Sequence, residues 1–188
     1  PHLISLCTGA HIQEAALNNH NVHIMSGEFL FPDGTYARFP GNSVLQPRSF
    51  EDSWLEGGKP LKVFLGLKQW QNDSGNVSQV NSLEEASEQS SRYIALKNPE
   101  WVKDLHEGKT EGEIKFLHHA LKIFWESELG ELGNYSLIPL AQLHRDGDHI
   151  VISTSFIPPC LSIHASLPLK KILTEFYHQQ VLQKLCLF

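Results

Sequence analysis

The sequence lacks the features of membrane-spanning, nucleic-acid-binding and disulfide-rich proteins. None of the apolar runs in its 188 residues approaches the roughly 20 residues needed to cross a bilayer. Basic residues are outnumbered, with 15 Lys and Arg against 21 Asp and Glu, so the net charge of -6 repels a phosphate backbone. The three cysteines, Cys7, Cys160 and Cys186, are far apart and odd in number, which fits neither a disulfide framework nor a zinc ribbon. We therefore expect a soluble protein of a reducing compartment, the cytoplasm, with one main domain, no nucleic-acid partner and no direct membrane insertion.

The chain also lacks the motifs of common catalytic sites. It has no glycine-rich phosphate loop, no G-x-S-x-G elbow and no H-E-x-x-H helix. The adjacent His118 and His119 would point to opposite faces of a strand, which makes a shared metal awkward. Cys160 lies four residues before His164, but no third group that would orient the histidine is recognisable, and a buried thiol acting as a small apolar residue is the simpler interpretation. The sequence thus predicts no enzymatic activity, no catalytic residue, no cofactor and no metal.

Most of the sequence is typical of short β-strands separated by turns. Apolar residues in segment 21–31 precede Pro32-Asp33-Gly34, where proline fixes φ and glycine tolerates a positive φ, so we predict a turn. An extended segment follows until Pro40-Gly41-Asn42 interrupts it. Residues 61–67 have the length and composition of a buried strand. Residues 72–91 are rich in Asn, Ser, Gln and Glu, which predicts an exposed loop.

The second half of the chain contains one ambiguous segment and one clear hairpin. Residues 114–125 satisfy both a helical stripe and a strand alternation, and the glycines on either side favour a strand. Residues 136–143 and 149–153 are strand-like and flank Asp146-Gly147, a dipeptide suited to a type I′ turn. The sequence therefore predicts a β-hairpin here.

A helix is predicted near the C-terminus. Ser166 is suited to cap it, Pro168 to stand in its first turn, and apolar residues recur at three- and four-residue steps up to Phe188. Because this apolar stripe has no obvious cover, we take Leu173, Tyr177, Val181 and Leu185 as a candidate oligomer interface. The pattern runs to the last residue, so we also expect the sequence to be a piece of a longer protein.

The four tryptophans leave one alternative function open. Trp54, Trp70, Trp101 and Trp125 are capable of lining a sugar-binding platform, which would make the chain a carbohydrate-binding β-sandwich module. Each of them lies in or beside an apolar, strand-like run, so packing in the core is the more ordinary explanation.

Several short motifs follow one another in an order that resembles a known family. The series comprises F-P-D-G-T at 31–35, F-P-G-N at 39–42 followed by P-R-S at 47–49, V-F-L-G-L at 63–67, L-I-P-L-A at 137–141 and F-I-P-P-C-L at 156–161. This order is similar to that of the TssK family, baseplate proteins of bacterial type VI secretion systems. The residues that carry the resemblance most clearly are Pro32, Asp33, Gly34, Pro40, Gly41, Asn42, Phe156, Ile157, Pro158, Pro159 and Cys160.

The resemblance implies a mainly β protein with a structural role. Members of the family are trimers with an N-terminal β-sandwich shell or shoulder, similar to the shoulders of phage receptor-binding proteins, followed by a helical neck and a C-terminal head. The family implies that the shell contacts the baseplate wedge proteins TssF and TssG, whereas the head reaches TssL and TssM of the membrane complex. On this basis we expect a shell at residues 1–165 and the start of the neck at 166–188.

Two parts of the family's pattern have no counterpart in this sequence. Its usual opening segment, with a tryptophan and a P-Q-H-F-like run, is not found before Pro1, and no head follows Phe188. We therefore expect this chain to contact the wedge, to trimerise when it is part of the full-length protein, and to reach TssL and TssM only through the head.

Overall fold

A computed structural model of the chain describes residues 6–54, 58–160, 162–163 and 166–185. The strands are β1 (Leu6–Ile12), β2 (Asn21–Val22), β3 (Ile24–Leu30), β4 (Tyr36–Phe39), β5 (Ser43–Val44), β6 (Arg48–Ser49), β7 (Leu61–Lys68), β8 (Val77–Val80), β9 (Tyr93–Leu96), β10 (Glu100–Lys103), β11 (Glu111–Ile114), β12 (His118–Trp125), β13 (Tyr135–Asp146) and β14 (His149–Ile152). The helices are α1 (Glu14–Leu17) and α2 (Leu167–Leu185), and 3-10 helices span Leu83–Glu88 and Glu126–Glu131.

Two sheets form the body of the described part of the chain. The smaller is antiparallel, with strand order β1-β3-β4. The larger has seven strands, of which six follow the order β14-β13-β7-β12-β9-β8 and the seventh, β5, pairs in parallel with β12. Strands β2 and β6 pair with each other, and β10 and β11 form a separate antiparallel ribbon.

The two sheets share one apolar core. Along β7 the buried Val63, Leu65 and Leu67 alternate with Lys62, Phe64 and Lys68, which face away from the core. The buried residues of β7 belong to the same cluster as Phe29 of the smaller sheet, and this facing arrangement is that of a sandwich. The prediction of a mainly β fold with a C-terminal helix is confirmed.

The segment that was ambiguous in sequence is a strand. β12 pairs antiparallel with β7, so that Leu121, Ile123 and Trp125 point into the shared core. The intervening Lys122 and Phe124 are on the opposite face of the sheet. The alternation therefore decides the structure, and the helical stripe was coincidental.

The predicted hairpin is confirmed, but its turn is displaced by one residue. Asp146 still pairs with His149 as the last residue of β13, so the turn residues are Gly147 and Asp148. Gly147 has a φ of 60°, whereas Asp148 keeps a negative φ. Glycine alone at the first turn position is the pattern of a type II′ turn rather than the predicted type I′.

The prediction of an exposed loop at 72–91 is wrong for part of the segment. It contains β8, which pairs in parallel with β9, and the 3-10 helix Leu83–Glu88. Val80 and Ala86 are buried in a second, small core together with Val44, Ile94 and Ala120. The polar composition of the segment did not indicate a strand, because only two buried apolar side chains, Val80 and Ala86, are needed to hold it against a sheet formed by other segments.

Candidate functional site

The Pro32-Asp33-Gly34 motif forms the predicted turn between β3 and β4. The Phe31 N–H donates to the Thr35 carbonyl at 2.9 Å, and the Asp33 carboxylate accepts from the Thr35 N–H at 3.0 Å. Gly34 has a φ of 84°, a conformation that favours glycine. The turn thus holds the Asp33 carboxylate in a fixed position at the edge of the smaller sheet.

Asp33 uses that position to bind a buried arginine of the larger sheet. The Arg92 guanidinium lies 2.7 Å from Asp33 Oδ2, and its side chain is 4% exposed. It also donates to the Thr35 hydroxyl at 2.6 Å and to the Lys68 carbonyl at 2.8 Å. Partial burial raises the pKa of Asp33, but the hydrogen bonds from Thr35 and Arg92 and the charge of Arg92 outweigh it and hold the pKa below its ordinary range. This network adds an electrostatic connection between the two sheets to their shared apolar core, and no sequence motif marks Arg92 as the partner of Asp33.

His119 lies against the same network. Its ring contacts that of Tyr93 at a centroid distance of 5.1 Å, and its Nδ1 is buried without a hydrogen-bond partner among the described residues. Burial and the nearby charge of Arg92 lower the pKa of His119, so the imidazole is kept neutral. We interpret it as a packing residue of the network.

The Pro40-Gly41-Asn42 motif also acts through backbone hydrogen bonds. Asn42 Oδ1 accepts from the Arg38 N–H at 2.7 Å, and Asn42 Nδ2 donates to the Tyr36 carbonyl at 3.0 Å. The Phe39–Pro40 peptide bond is cis, and a Cβ on Gly41 would lie 3.2 Å from the Arg38 carbonyl oxygen. The motif closes the end of β4 and directs the chain to β5 on the larger sheet.

The P-R-S motif supplies a second ion pair between distant segments. Arg48 binds both carboxylate oxygens of Glu128, at 2.5 and 2.8 Å, and donates to the Ile123 carbonyl at 2.7 Å. Its guanidinium lies 5.1 Å from the ring centroid of Trp125. Partial burial raises the pKa of Glu128, but the hydrogen bonds from Arg48 and from the Trp125 N–H, together with the charge of Arg48, outweigh this effect and hold the pKa below its ordinary value. Bidentate pairing of this kind fixes orientation as well as charge.

The F-I-P-P-C motif runs beside β1. The Pro159 carbonyl accepts from the Cys7 N–H at 2.8 Å, Phe156, Pro158 and Pro159 are half-buried, and the Ile157 side chain is exposed. Cys160 is half-buried and Cys7 is buried, both as free thiols. Burial raises the pKa of Cys7. Leu161 and His164 lie outside the described residues, so the Cys160–His164 alternative gains nothing from the structure.

The C-terminal helix is present as predicted, with only part of its stripe described. The Leu169 N–H lies 3.4 Å from the Ser166 hydroxyl that caps the helix. Leu173 is half-buried, whereas Tyr177 is 62% exposed. The neighbouring apolar Ile172 and Phe176 are also mostly exposed. The side chains of Val181 and Leu185 lie outside the described residues.

The tryptophans divide into two classes. Trp54 and Trp125 are buried and both make edge contacts with Phe50, as expected for core residues. Trp70 and Trp101 are 59% and 66% exposed, so the expectation of core packing is wrong for these two. Their apolar strand-like surroundings misled the prediction, because Trp70 lies in the loop that follows β7 and Trp101 lies in the separate β10–β11 ribbon.

The residues predicted to carry the family resemblance do not converge on one catalytic pocket. Instead, each motif ties separate strands together through an ion pair or backbone hydrogen bonds. Among the described residues, no group of three His, Cys, Asp or Glu side chains is placed to hold a metal ion. In the same part of the chain, no helix is both long and apolar enough to span a membrane.

Comparisons with known proteins identify the fold. The model of one family, described as "Bacterial Type VI secretion, VC_A0110, EvfL, ImpJ, VasE", matches residues 7–184. A crystal structure of TssK aligns with 97% of this chain at a TM-score of 0.77 and 21% identity. A type VI secretion TssK-TssF-TssG baseplate subcomplex aligns with 92% of it at a TM-score of 0.74 and 21% identity. A TssK from EAEC aligns with 95% at a TM-score of 0.69 and 19% identity.

These alignments cover only part of the solved proteins. The chain spans 40% of the TssK crystal structure's chain, 55% of the chain in the subcomplex and 54% of the EAEC protein. At these sequence identities the likeness establishes the fold, which is that of the β-rich part of TssK. No curated protein sequence matches the chain.

Proposed function

Because this chain belongs to the T6SS_VasE family of bacterial type VI secretion proteins, we propose that it is the shell part of a TssK-like structural adaptor of the baseplate. The observation that carries the proposal is the family match over residues 7–184. The fold it shares with a chain solved in a TssK-TssF-TssG complex supports the same role. Its work would be mechanical, holding a shape to which other proteins bind, and not catalytic.

The partners proposed for the shell are the wedge proteins TssF and TssG. The rigid connections described above suit such a role, because a surface that is preorganised by ion pairs such as Arg92–Asp33 and Arg48–Glu128 loses little entropy on binding. TssL and TssM would be reached only through the head of a full-length protein. Assembly would take place in the cytoplasm, at the inner-membrane face.

We propose that the shell comprises residues 1–165 and that the neck starts in residues 166–188. The exposed Tyr177 and the half-buried Leu173 supply apolar surface on α2, and Val181 and Leu185 continue the same helical stripe in sequence. Helices from other copies would cover this stripe in a homotrimer. The general reason is that exposed apolar side chains on a helix are stabilised when they are buried against other helices.

The wedge contact is tested by co-purifying this chain with TssF and TssG of the same genome and measuring the mass of the product by light scattering. A stable complex supports the proposal. Binding by the full-length protein alone would place the contact outside this chain. Failure of both would contradict the proposed function.

The neck assignment is tested on α2 with a matched pair of variants. Tyr177→Glu places a charge in the stripe, whereas Gln179→Glu places the same charge at another exposed position about 200° away around the helix. We expect Tyr177→Glu to reduce self-association and Gln179→Glu to leave it unchanged, as measured by sedimentation velocity. Equal behaviour of the two variants with intact circular dichroism would contradict an interface at the stripe.

A further inference from the structure

Two of the three cysteines are brought together by the fold, although they lie far apart in the sequence. The Cys7 N–H donates to the Pro159 carbonyl at 2.8 Å, and Cys160 is the next residue along the chain. Standard bond lengths then place the Cα atoms of Cys7 and Cys160 within about 7 Å of each other. Beyond about 7 Å a disulfide cannot form without movement of the backbone. The backbone therefore meets the distance requirement for joining these two residues.

The side chains of the two cysteines also interact with each other. Both are free thiols in the structure. Burial raises the pKa of Cys7, a backbone hydrogen bond from Gly9 lowers it, and the charge of the Cys160 thiolate raises it again. Because charge interactions weaken with distance, an effect of one thiol on the other requires that their sulfur atoms lie near each other. The two thiols are thus neighbours in space, in agreement with the backbone hydrogen bond.

The segment that carries Cys160 is poorly suited to backbone pairing. Residues 156–160 belong to none of the described strands, although they run beside β1, the outer strand of the smaller sheet. Pro158 and Pro159 have no N–H group, so neither is able to donate a ladder hydrogen bond to β1. A covalent bond to β1 would fix a segment that backbone hydrogen bonds alone hold weakly.

The two thiols differ in how well a small oxidant is able to reach them. Cys7 is 1% exposed and belongs to the shared apolar core, whereas Cys160 is half-buried. Oxidation of a thiol pair starts at the more accessible thiol, and the second thiol then completes the disulfide. Cys160 is therefore the residue that reacts first, and Cys7 is the residue that converts the product into a disulfide.

We propose that Cys7 and Cys160 form a redox-sensitive pair, which hydrogen peroxide converts into a disulfide that ties residues 156–160 to β1. Disulfides in a reducing compartment are usually transient and act in catalysis or redox sensing. The bond would fix the segment that precedes α2, which begins at Leu167. The proposal depends only on the fold and is independent of any role in a baseplate.

The chemistry is a two-electron oxidation of two thiols. The Cys160 thiolate attacks one oxygen of hydrogen peroxide, the O–O bond breaks, and the hydroxide that leaves takes up a proton to become water. The Cys7 sulfur then attacks the sulfenic acid formed on Cys160, the S–O bond breaks, and the hydroxide leaves with the Cys7 proton as a second water. Both thiols are thereby oxidised to one disulfide and the peroxide is reduced to two waters. A dithiol reductant reverses the change.

The test uses the whole chain with Cys186→Ser, which leaves Cys7 and Cys160 as its only cysteines. After treatment of the folded protein with hydrogen peroxide, mass spectrometry of an unreduced digest should show the peptides of Cys7 and Cys160 joined with the loss of two hydrogen atoms. Non-reducing gels should show that the oxidised chain remains a single chain, and dithiothreitol should restore both thiols. In a glutathione redox buffer, the ratio of disulfide to dithiol should be at least about tenfold higher in the folded chain than in the same chain denatured in urea, because the fold holds the two thiols together.

A matched pair of single-cysteine variants, made in the same Cys186→Ser chain, tests the order of the two steps. In Cys7→Ala the sulfenic acid on Cys160 has no partner, so it should accumulate and be labelled by dimedone. In Cys160→Ala the remaining Cys7 is buried, so labelling should be at least about tenfold lower. If Cys7→Ala does not fold, as judged by circular dichroism, Cys7→Ser replaces it.

Three results would overturn the proposal. The first is that peroxide yields no peptide linking Cys7 to Cys160, and the second is that the link forms only between two chains. The third is that the ratio of disulfide to dithiol is the same in the folded and the denatured chain. Equal dimedone labelling of the two single-cysteine variants would overturn the assignment of Cys160 as the residue that reacts first.

Discussion

The substitution Asp33→Asn should lower the free energy of unfolding, and the burial of the Asp33–Arg92 ion pair sets the size of the loss. Asp33→Asn keeps the turn and its shape but removes the negative charge opposite a guanidinium whose side chain is 4% exposed. Breaking a fully buried pair costs about 3–5 kcal/mol. The Asp33 side chain is 40% exposed, and Arg92 keeps its bonds to Lys68 and Thr35, so we expect a smaller loss of about 2 kcal/mol.

The assay for this prediction is urea unfolding followed by circular dichroism at neutral pH. In a thermal melt of the same variants, a loss of this size corresponds to a fall in Tm of about 4–8 °C for a chain of this length. The matched control is Glu126→Gln, which breaks the Lys62–Glu126 pair, whose side chains are 42% and 49% exposed. An exposed pair should contribute only about 0.5 kcal/mol.

The pH dependence of the effect follows from the lowered pKa of Asp33. A carboxyl whose pKa is lower in the folded state stabilises the fold above its ordinary value of 3.8, and that contribution is lost as the pH falls through the lower, folded-state pKa. The difference between the parent chain and Asp33→Asn should therefore shrink in acid. The reasoning is refuted if Asp33→Asn loses no more stability than Glu126→Gln, or if a double-mutant cycle with Arg92→Gln yields no coupling energy.

Three further predictions concern the surrounding structure. The lowered pKa of His119 means that its neutral form stabilises the fold above the ordinary pKa of 6.5, and that this stabilisation is lost as the pH falls below 6.5. The unfolding free energy of His119→Phe, measured in urea titrations, should therefore depend less on pH than that of the parent chain, and an unchanged pH dependence would count against this. Gly66→Ala would place a Cβ 2.5 Å from the Phe124 ring and should cost about 1–3 kcal/mol, a loss that Phe124→Leu in the same chain should partly restore in thermal melts. Glu128→Gln should weaken the fold by about 1 kcal/mol, because it breaks the pair with Arg48, whose two side chains are 36% and 31% exposed. Unfolding in urea at the same concentration as the parent chain would show that the pair contributes nothing.

Patterns of neighbouring residues predicted much of the fold. The features that they did not predict depend on contacts between residues far apart in the sequence. The alternation in 114–125 and the dipeptide at 146–147 were sufficient for a strand and a hairpin, because both depend on residues close in sequence. The short strand β8 was missed because its stability comes from pairing with β9 and from a core contributed by other segments. Context of this kind is not encoded in the composition of the segment itself.

The motif residues were recognised for their order and not for their contacts. Asp33 was expected only as a turn residue, yet it also binds Arg92, which lies 59 positions later and in no motif. Arg48 was part of a motif, but Glu128 as its partner was not foreseeable, since one sequence does not reveal which charges meet in space. The exposure of Trp101 was misjudged for the same reason, because the separate ribbon is a product of strand pairing between 100–103 and 111–114.

The hydrogen bond between Cys7 and Pro159 has a consequence for biosynthesis. β1 pairs with the nearby β3, but the Cys7 N–H reaches its acceptor only when Pro159, 152 residues later, has left the ribosome, so the hydrogen bonding of β1 is completed late in translation. Helix α2 begins at Leu167, just after this closing segment, and is therefore synthesised last among the described elements. The surface proposed to recruit other copies thus emerges only when every strand to which it is attached is already available, which limits premature association of incomplete chains.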